Sequence, residues 1–237
     1  RANPNGLVMT RNTQKDMAGL LAALVRAHEE HFDSSDDLLV GLQLSHAGRF
    51  TRPHGKTKPE PRVLYRHPLL DRIVGVESDG PVLTDDEIAR TIDDFVAAAV
   101  LAQGIGFAFV DVKHCHGYFG HEILSAVDRP GPYGGTFENR TRFLREVVAG
   151  IRSEAPGLEI GVRLSAFDFV PFKPGKDQVG VPAVLISRNL ERVEKERPDL
   201  FAKLARLGLN RELAEVNIDL GKVLSGRGSE KIRGEGD

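Results

Sequence analysis

The chain has 237 residues, 41% hydrophobic and 28% charged, the balance of a folded globular protein with chain for one large domain or two small ones. Lys+Arg 32 against Asp+Glu 34 leaves a net charge of -2, which gives no electrostatic footing for nucleic acid or an anionic membrane. No apolar run approaches the ~20 residues that cross a bilayer, no apolar signal core follows Arg1, and the single Cys115 excludes an intrachain disulfide framework or an all-cysteine metal or iron–sulfur site. A reducing, cytoplasmic setting is therefore expected.

Met17, Leu20, Leu21, Leu24 and Val25 recur at helical spacing and predict a helix over 14–31, with Thr13 and Asp16 as its start signal. Leu38 to Leu44 is a short, nearly continuous apolar run and predicts a strand buried on both faces. Phe50 to Pro81 is rich in Pro, Gly and basic residues and predicts a long loop. Thr84-Asp85-Asp86-Glu87 is a capping box opening a helix that turns Ile88, Ile92, Phe95, Val96, Ala99 and Val100 inward and stops at Gly104. Phe107 to Val112 predicts a second buried strand. Phe137 to Ser153 predicts a helix with Phe143, Leu144, Val147, Val148 and Ile151 inward, ended by Pro156 and Gly157. Leu158 to Ser165 alternates, with Ile160, Val162 and Leu164 on one side and Gly161, Arg163 and Ser165 on the other. Farther on, 199–207 reads as a helix, 215–220 as one more strand and 225–237 as a charged, Gly-rich tail. No internal repeat stands out. Alternating helices and strands mean βα units on a parallel sheet, hence a doubly wound sheet or a (β/α)8 barrel, with 1–224 as one domain.

Polar residues gather where strands end: Gln43, Ser45, His46 and Arg49; then Lys113, His114, Cys115, His116 and Tyr118; then Arg163, Ser165 and Asp168. Active sites of parallel α/β proteins lie at that edge. Gln43 and Arg163 share their faces with Gly41 and Gly161, small residues beneath long polar ones, as a ligand-bearing barrel interior needs.

Four segments carry a resemblance. They are Gln43-Leu44-Ser45-His46-Ala47-Gly48-Arg49, His116-Gly117-Tyr118-Phe119-Gly120-His121-Glu122-Ile123-Leu124-Ser125, Tyr133-Gly134-Gly135-Thr136-Phe137-Glu138-Asn139-Arg140 and Gly161-Val162-Arg163-Leu164-Ser165. In this order they resemble the Old Yellow Enzyme family of FMN-dependent NADH:flavin oxidoreductases, which are (β/α)8 TIM barrels. The resemblance covers about 35 to 172 and implies an incomplete barrel holding strands three to five, with a sixth near 216. The family's first two strands and its phosphate-binding last two are expected outside this chain, which reads as a fragment.

The resemblance implies that Gln43 hydrogen-bonds the flavin pyrimidine edge and that Arg163 lies against N1 and O2, where a guanidinium favours the reduced anion. His116 matches one of the two side chains that bind a substrate carbonyl oxygen. Lys113 stands at the other, where the family uses a neutral donor; it could bind a carboxylate instead, or pair with Asp111 on the same strand face. Tyr118 matches the proton donor to the substrate α-carbon. His121, Glu122, Glu138, Asn139 and Arg140 read as structural. FMN is thus the expected cofactor, NAD(P)H the co-substrate and an activated alkene the small-molecule substrate. Amine oxidation or demethylation is the alternative within the family. Two alternatives lie outside it: a barrel fragment that acts at most as a binding module, and a metal-dependent barrel hydrolase using His114 and His116. The substrate, the choice of NADH or NADPH and homo-oligomerisation stay open.

Overall fold

A computed structural model describes residues 1–165, with backbone alone at 68–69 and in two short strands at 172–173 and 181–182. The regions 199–207, 215–220 and 225–237, and Asp168, lie outside the described residues. The chain forms two units, 1–67 with 74–169, and 68–73 with 170–237. The first holds α1 (Gln14–Phe32), β1 (Gly41–Leu44), a short 3-10 turn (Gly48–Phe50), α3 (Asp85–Gly104), β2 (Phe109–His114), α4 (Phe119–Leu124), α5 (Phe137–Glu154) and β3 (Glu159–Leu164). The second contains α2 (Pro68–Val74, its last residue counted with the first unit) and the antiparallel pair β4 (Phe172–Lys173) and β5 (Val181–Pro182). Among the described residues no helix is long and apolar enough to cross a membrane.

The three longer strands pair in parallel in the order β1-β2-β3. This is the α/β arrangement that the alternation of elements predicts. The register sets three rows across one sheet face: Gly41, Phe109 and Glu159; Gln43, Asp111 and Gly161; then Lys113 beside Arg163. The opposite face carries Leu44, Val110, Val112 and His114, all buried under α3, α4 and α5. Gly41 is required: a Cβ there would sit 2.2 Å from the Phe109 ring, which lies over it.

Helix faces follow from packing. In α3, Ile88, Ile92, Phe95 and Ala99 are buried, and Phe95 meets Phe143 of α5 edge-on at 5.6 Å. In α5, Phe143, Val147 and Ile151 are fully buried. The Thr84 box forms as the spacing predicts, the hydroxyl accepting from the Glu87 N–H and the Glu87 carboxylate from the Thr84 N–H. Thr136 caps α5 by accepting from the Asn139 N–H at 3.3 Å.

Several expectations are corrected. Thr13 precedes α1, but its hydroxyl donates to the Val8 carbonyl and accepts from the Thr10 N–H, so it does not cap that helix. Leu20, Leu24 and Val100 are partly exposed, because the buried stripes are narrower than the apolar pattern suggests. The first strand starts at Gly41, its Gln43 face is open rather than buried, and Leu39 is 70% exposed. The second strand runs two residues farther, to His114. On β3, Val162 and Leu164 stay exposed. The predicted loop is not one loop. Val63 bridges Val82 in parallel, Val63, Val74 and Val76 form a small buried cluster, and Arg62 and Arg66 pair with Glu87 and Asp79.

Candidate active site

The tips of β1, β2 and β3 present the polar residues singled out from the sequence. Gln43 and Arg163 are exposed on the same sheet face. The Gln43 amide donates to Asp111 Oδ2 at 2.6 Å, so the middle row is a hydrogen-bonded pair beside the bare backbone of Gly161. A Cβ at Gly161 would meet nothing nearer than 3.8 Å, which leaves a gap in the row.

One row up, Lys113 and Arg163 are register partners, and the Lys113 ammonium lies 3.8 Å from the centroid of the Tyr118 ring. That is a cation–π contact, an attraction between the charge and the ring quadrupole. The Lys113–Asp111 pair read as an option from strand parity is absent: the carboxylate holds Gln43 and the ammonium turns to Tyr118.

His116 and Gly117 both have positive φ, 63° and 67°, and the Tyr118 N–H donates to the Cys115 carbonyl at 3.3 Å. Two such residues inside a four-residue hydrogen bond mark a type I′ turn. A left-handed histidine costs about 1–2 kcal/mol. The surroundings offset that cost: the His116 N–H donates to Ser165 Oγ at 3.3 Å, and the Gly117 N–H to His121 Nδ1 at 2.8 Å. The turn delivers His116, exposed, above Lys113 and Arg163. Desolvation lowers the His116 pKa, and the positive charges of Lys113 and Arg163 lower it further. Phe50 flanks Tyr118, ring centroids 6.0 Å apart.

Beneath the turn lies a scaffold that the sequence did not predict. Arg49, 1% exposed, donates to both oxygens of Glu122, Nη2 to Oε1 at 2.9 Å and Nε to Oε2 at 3.2 Å. Glu122 Oε1 also accepts the Leu64 N–H, and Arg49 donates to the Tyr65 carbonyl. Arg49, at the end of the first motif, is thus a staple rather than a ligand-facing group. His46 is half-buried and accepts the Gly48 N–H on Nδ1 at 3.0 Å, and desolvation lowers its pKa to about 4. Gly48, with φ 55°, abuts α4 so closely that a Cβ would reach 2.9 Å from the Phe119 nitrogen. Glu122, His121 and Arg140 are structural, as read from the sequence; Arg140 donates to the Gly135 and Leu124 carbonyls. The partner of Arg49 is 73 residues away, and no local spacing signals it.

The metal reading needs His114 and His116 together. His114 lies on the opposite sheet face, fully buried, its ring 5.8 Å from that of Phe143, whereas His116 is exposed above the turn. Among the described residues no group of three or more His, Cys, Asp or Glu side chains gathers as metal ligands would.

The NADH:flavin oxidoreductase / NADH oxidase family matches residues 34–209. NADPH dehydrogenase of Bacillus velezensis is 33% identical over 133 residues, 55% of this chain and 36% of that protein. The 12-oxophytodienoate reductase 1 of Oryza sativa subsp. japonica is 36% identical over 145 residues, 56% of this chain and again 36% of the relative. The chain therefore spans little more than a third of the length of these curated relatives. Among solved structures, morphinone reductase matches with a TM-score of 0.52 at 21% identity, over 89% of this chain and 55% of that one, a likeness of fold. The chain belongs to the NADH:flavin oxidoreductase / NADH oxidase family, that of the Old Yellow Enzyme.

Proposed function

We propose that this chain provides the substrate-facing strand tips of an FMN-dependent oxidoreductase that takes hydride from NAD(P)H and delivers it to an activated alkene. In this reading β1, β2 and β3 are the third to fifth strands of a (β/α)8 barrel, and the buried, unpaired Cys115 accords with a reducing cytoplasm. The observation that carries it is one sheet face on which Gln43, Lys113 and Arg163 rise beside Gly161, with His116 and Tyr118 above.

The residues suit a planar ring. Gly161 leaves space, Gln43 is exposed with its amide oriented by Asp111, and Arg163 makes no hydrogen bond or ion pair among the described residues. FMN, when bound, supplies the hydride chemistry. Gln43 would bind its pyrimidine edge, and the Arg163 guanidinium would favour the negative charge that reduction places there. His116 and Lys113 donate to the substrate oxygen as charge grows on it; a preorganised donor of this kind is worth about 3 kcal/mol of barrier. Tyr118, its ring held under the Lys113 ammonium, hands a proton to the substrate α-carbon.

The test is anaerobic. Purified full chain supplied with FMN should show a shifted, resolved flavin band that NADH or NADPH bleaches and an enone such as 2-cyclohexenone restores. A band that NAD(P)H bleaches and only an amine or oxygen affects would move the reading to the amine-oxidising relatives. A spectrum identical to free FMN would remove it.

A further inference from the structure

We infer that the site takes a substrate whose activating group is a carboxylate, an α,β-unsaturated acid anion held between Lys113 and His116 under the positive potential of Arg163. The reductive step rests on the flavin reading above; the anion site rests on the chain's own charges.

The charge inventory is the main ground. Four other cations near these strand ends and loops are paired with carboxylates: Arg49 with Glu122, Arg62 with Glu87, Arg66 with Asp79 and Arg129 with Asp85. Lys113 and Arg163, register partners on neighbouring strands, form no ion pair among the described residues. Asp111, one row below, accepts the neutral Gln43 amide at 2.6 Å and keeps its charge without pairing directly with either cation, and Glu159, on the same face, lies two rows below, so the tip row itself holds two cations and no carboxylate. His116 shares this positive environment, since Lys113 and Arg163 both disfavour its protonation. Like charges held adjacent without a directly paired carboxylate repel, and an anionic ligand between them relieves that repulsion.

The lysine's placement adds the second ground. Its Nζ is held over the Tyr118 ring at 3.8 Å, which fixes a charged donor rather than letting it sweep through solvent. Phe50 beyond Tyr118 offers an apolar flank for the alkene.

The chemistry explains why a permanent cation is useful. Hydride addition forms a C–H bond at the β-carbon and pushes the π pair toward the carboxylate, which becomes a dianionic enediolate. A neutral carbonyl needs only hydrogen-bond donors there, whereas the second negative charge on a carboxylate calls for a cation. A proton delivered to the α-carbon restores the carboxylate. The two electrons come from NAD(P)H, which leaves as NAD(P)+.

Calorimetric titration of the full chain at pH 7, with and without FMN, tests this with cinnamate and its neutral isostere methyl cinnamate. Cinnamate should bind about tenfold or more tighter than the ester. Raising KCl from about 50 to about 500 mM should weaken the acid and spare the ester. Lys113→Met should erase the preference for the acid, and Lys113→Arg, which keeps the charge and guards against misfolding of the first variant, should retain most of it. Equal binding of acid and ester, no binding of cinnamate, or a preference that survives Lys113→Met would overturn the inference. Retained FMN without the acid preference sinks this inference alone; the acid preference without FMN binding sinks the flavin reading and leaves the anion site standing.

Discussion

Replacing Arg49 with Met should strongly destabilise this chain, and the reason is electrostatic. The guanidinium and the Glu122 carboxylate are 2% and 3% exposed and share two hydrogen bonds of 2.9 and 3.2 Å. A buried pair is no great asset in itself, because desolvation of both charges offsets most of their attraction. Removing one partner is different: it strands the other charge in the core, at about 3–5 kcal/mol. Arg49→Met also strips the Tyr65 carbonyl of a donor. Against a typical total stability of about 5–15 kcal/mol, that single change is severe. Glu122→Met should cost a similar amount and free the Leu64 N–H as well. The double variant should recover about 2 kcal/mol or more of the summed losses, since neither charge is then left alone. Urea melts followed by far-UV circular dichroism measure all four corners of the cycle. Single variants that each lose under about 1 kcal/mol, with strict additivity, would show that no buried pair joins the two motifs.

Burial lowers both His46 and His114 to about 4, with the Val112 backbone partly opposing it at His114. The unfolded chain takes up these protons near pH 6.5 while the folded chain refuses them, so stability is intact above about pH 6.5 and falls as the pH approaches 4. For His114, about 3 kcal/mol is at stake. His114→Leu should flatten the acid limb of a stability–pH curve; an unchanged limb would show that this imidazole is not buried neutral. Thr84→Ala should lose about 1 kcal/mol in the same urea assay, because the Glu87 N–H then lacks the hydroxyl that accepts it; a loss near zero would count against that cap. Gly161→Leu should melt within a few degrees of the parent, the site being open to 3.8 Å, yet bind FMN about tenfold more weakly by filling the gap in the middle row. Undiminished FMN binding would place the ring elsewhere.

The core helices and strand order were legible because α3 and α5 repeat apolar residues on a stripe wide enough to bury, and because the strands between them admit only parallel pairing. The open face of β1 was harder. Leu38 to Leu44 reads as a nearly continuous apolar run, but Gly41 makes room for the Phe109 ring and Gln43 meets Asp111, partners that only the register reveals. The proposed site residues Gln43, Lys113, His116, Tyr118 and Arg163 are singled out by strand ends and motif resemblance. What each one touches was not: the Lys113 ammonium chose an aromatic face over the nearby carboxylate. Residues 50–81 read as a loop because, the short helix α2 apart, their order comes from distant contacts, Val63 to Val82 and Arg129 to Leu64.

The proposed site needs the Arg163 guanidinium and the Gln43 amide to share one planar ring, and an FMN titration of the full chain against Arg163→Ala and Gln43→Ala tests that. Saturable binding with a resolved flavin spectrum, weakened about tenfold or more in each variant while the far-UV spectrum holds, is the predicted result. Binding that is indifferent to both substitutions contradicts it.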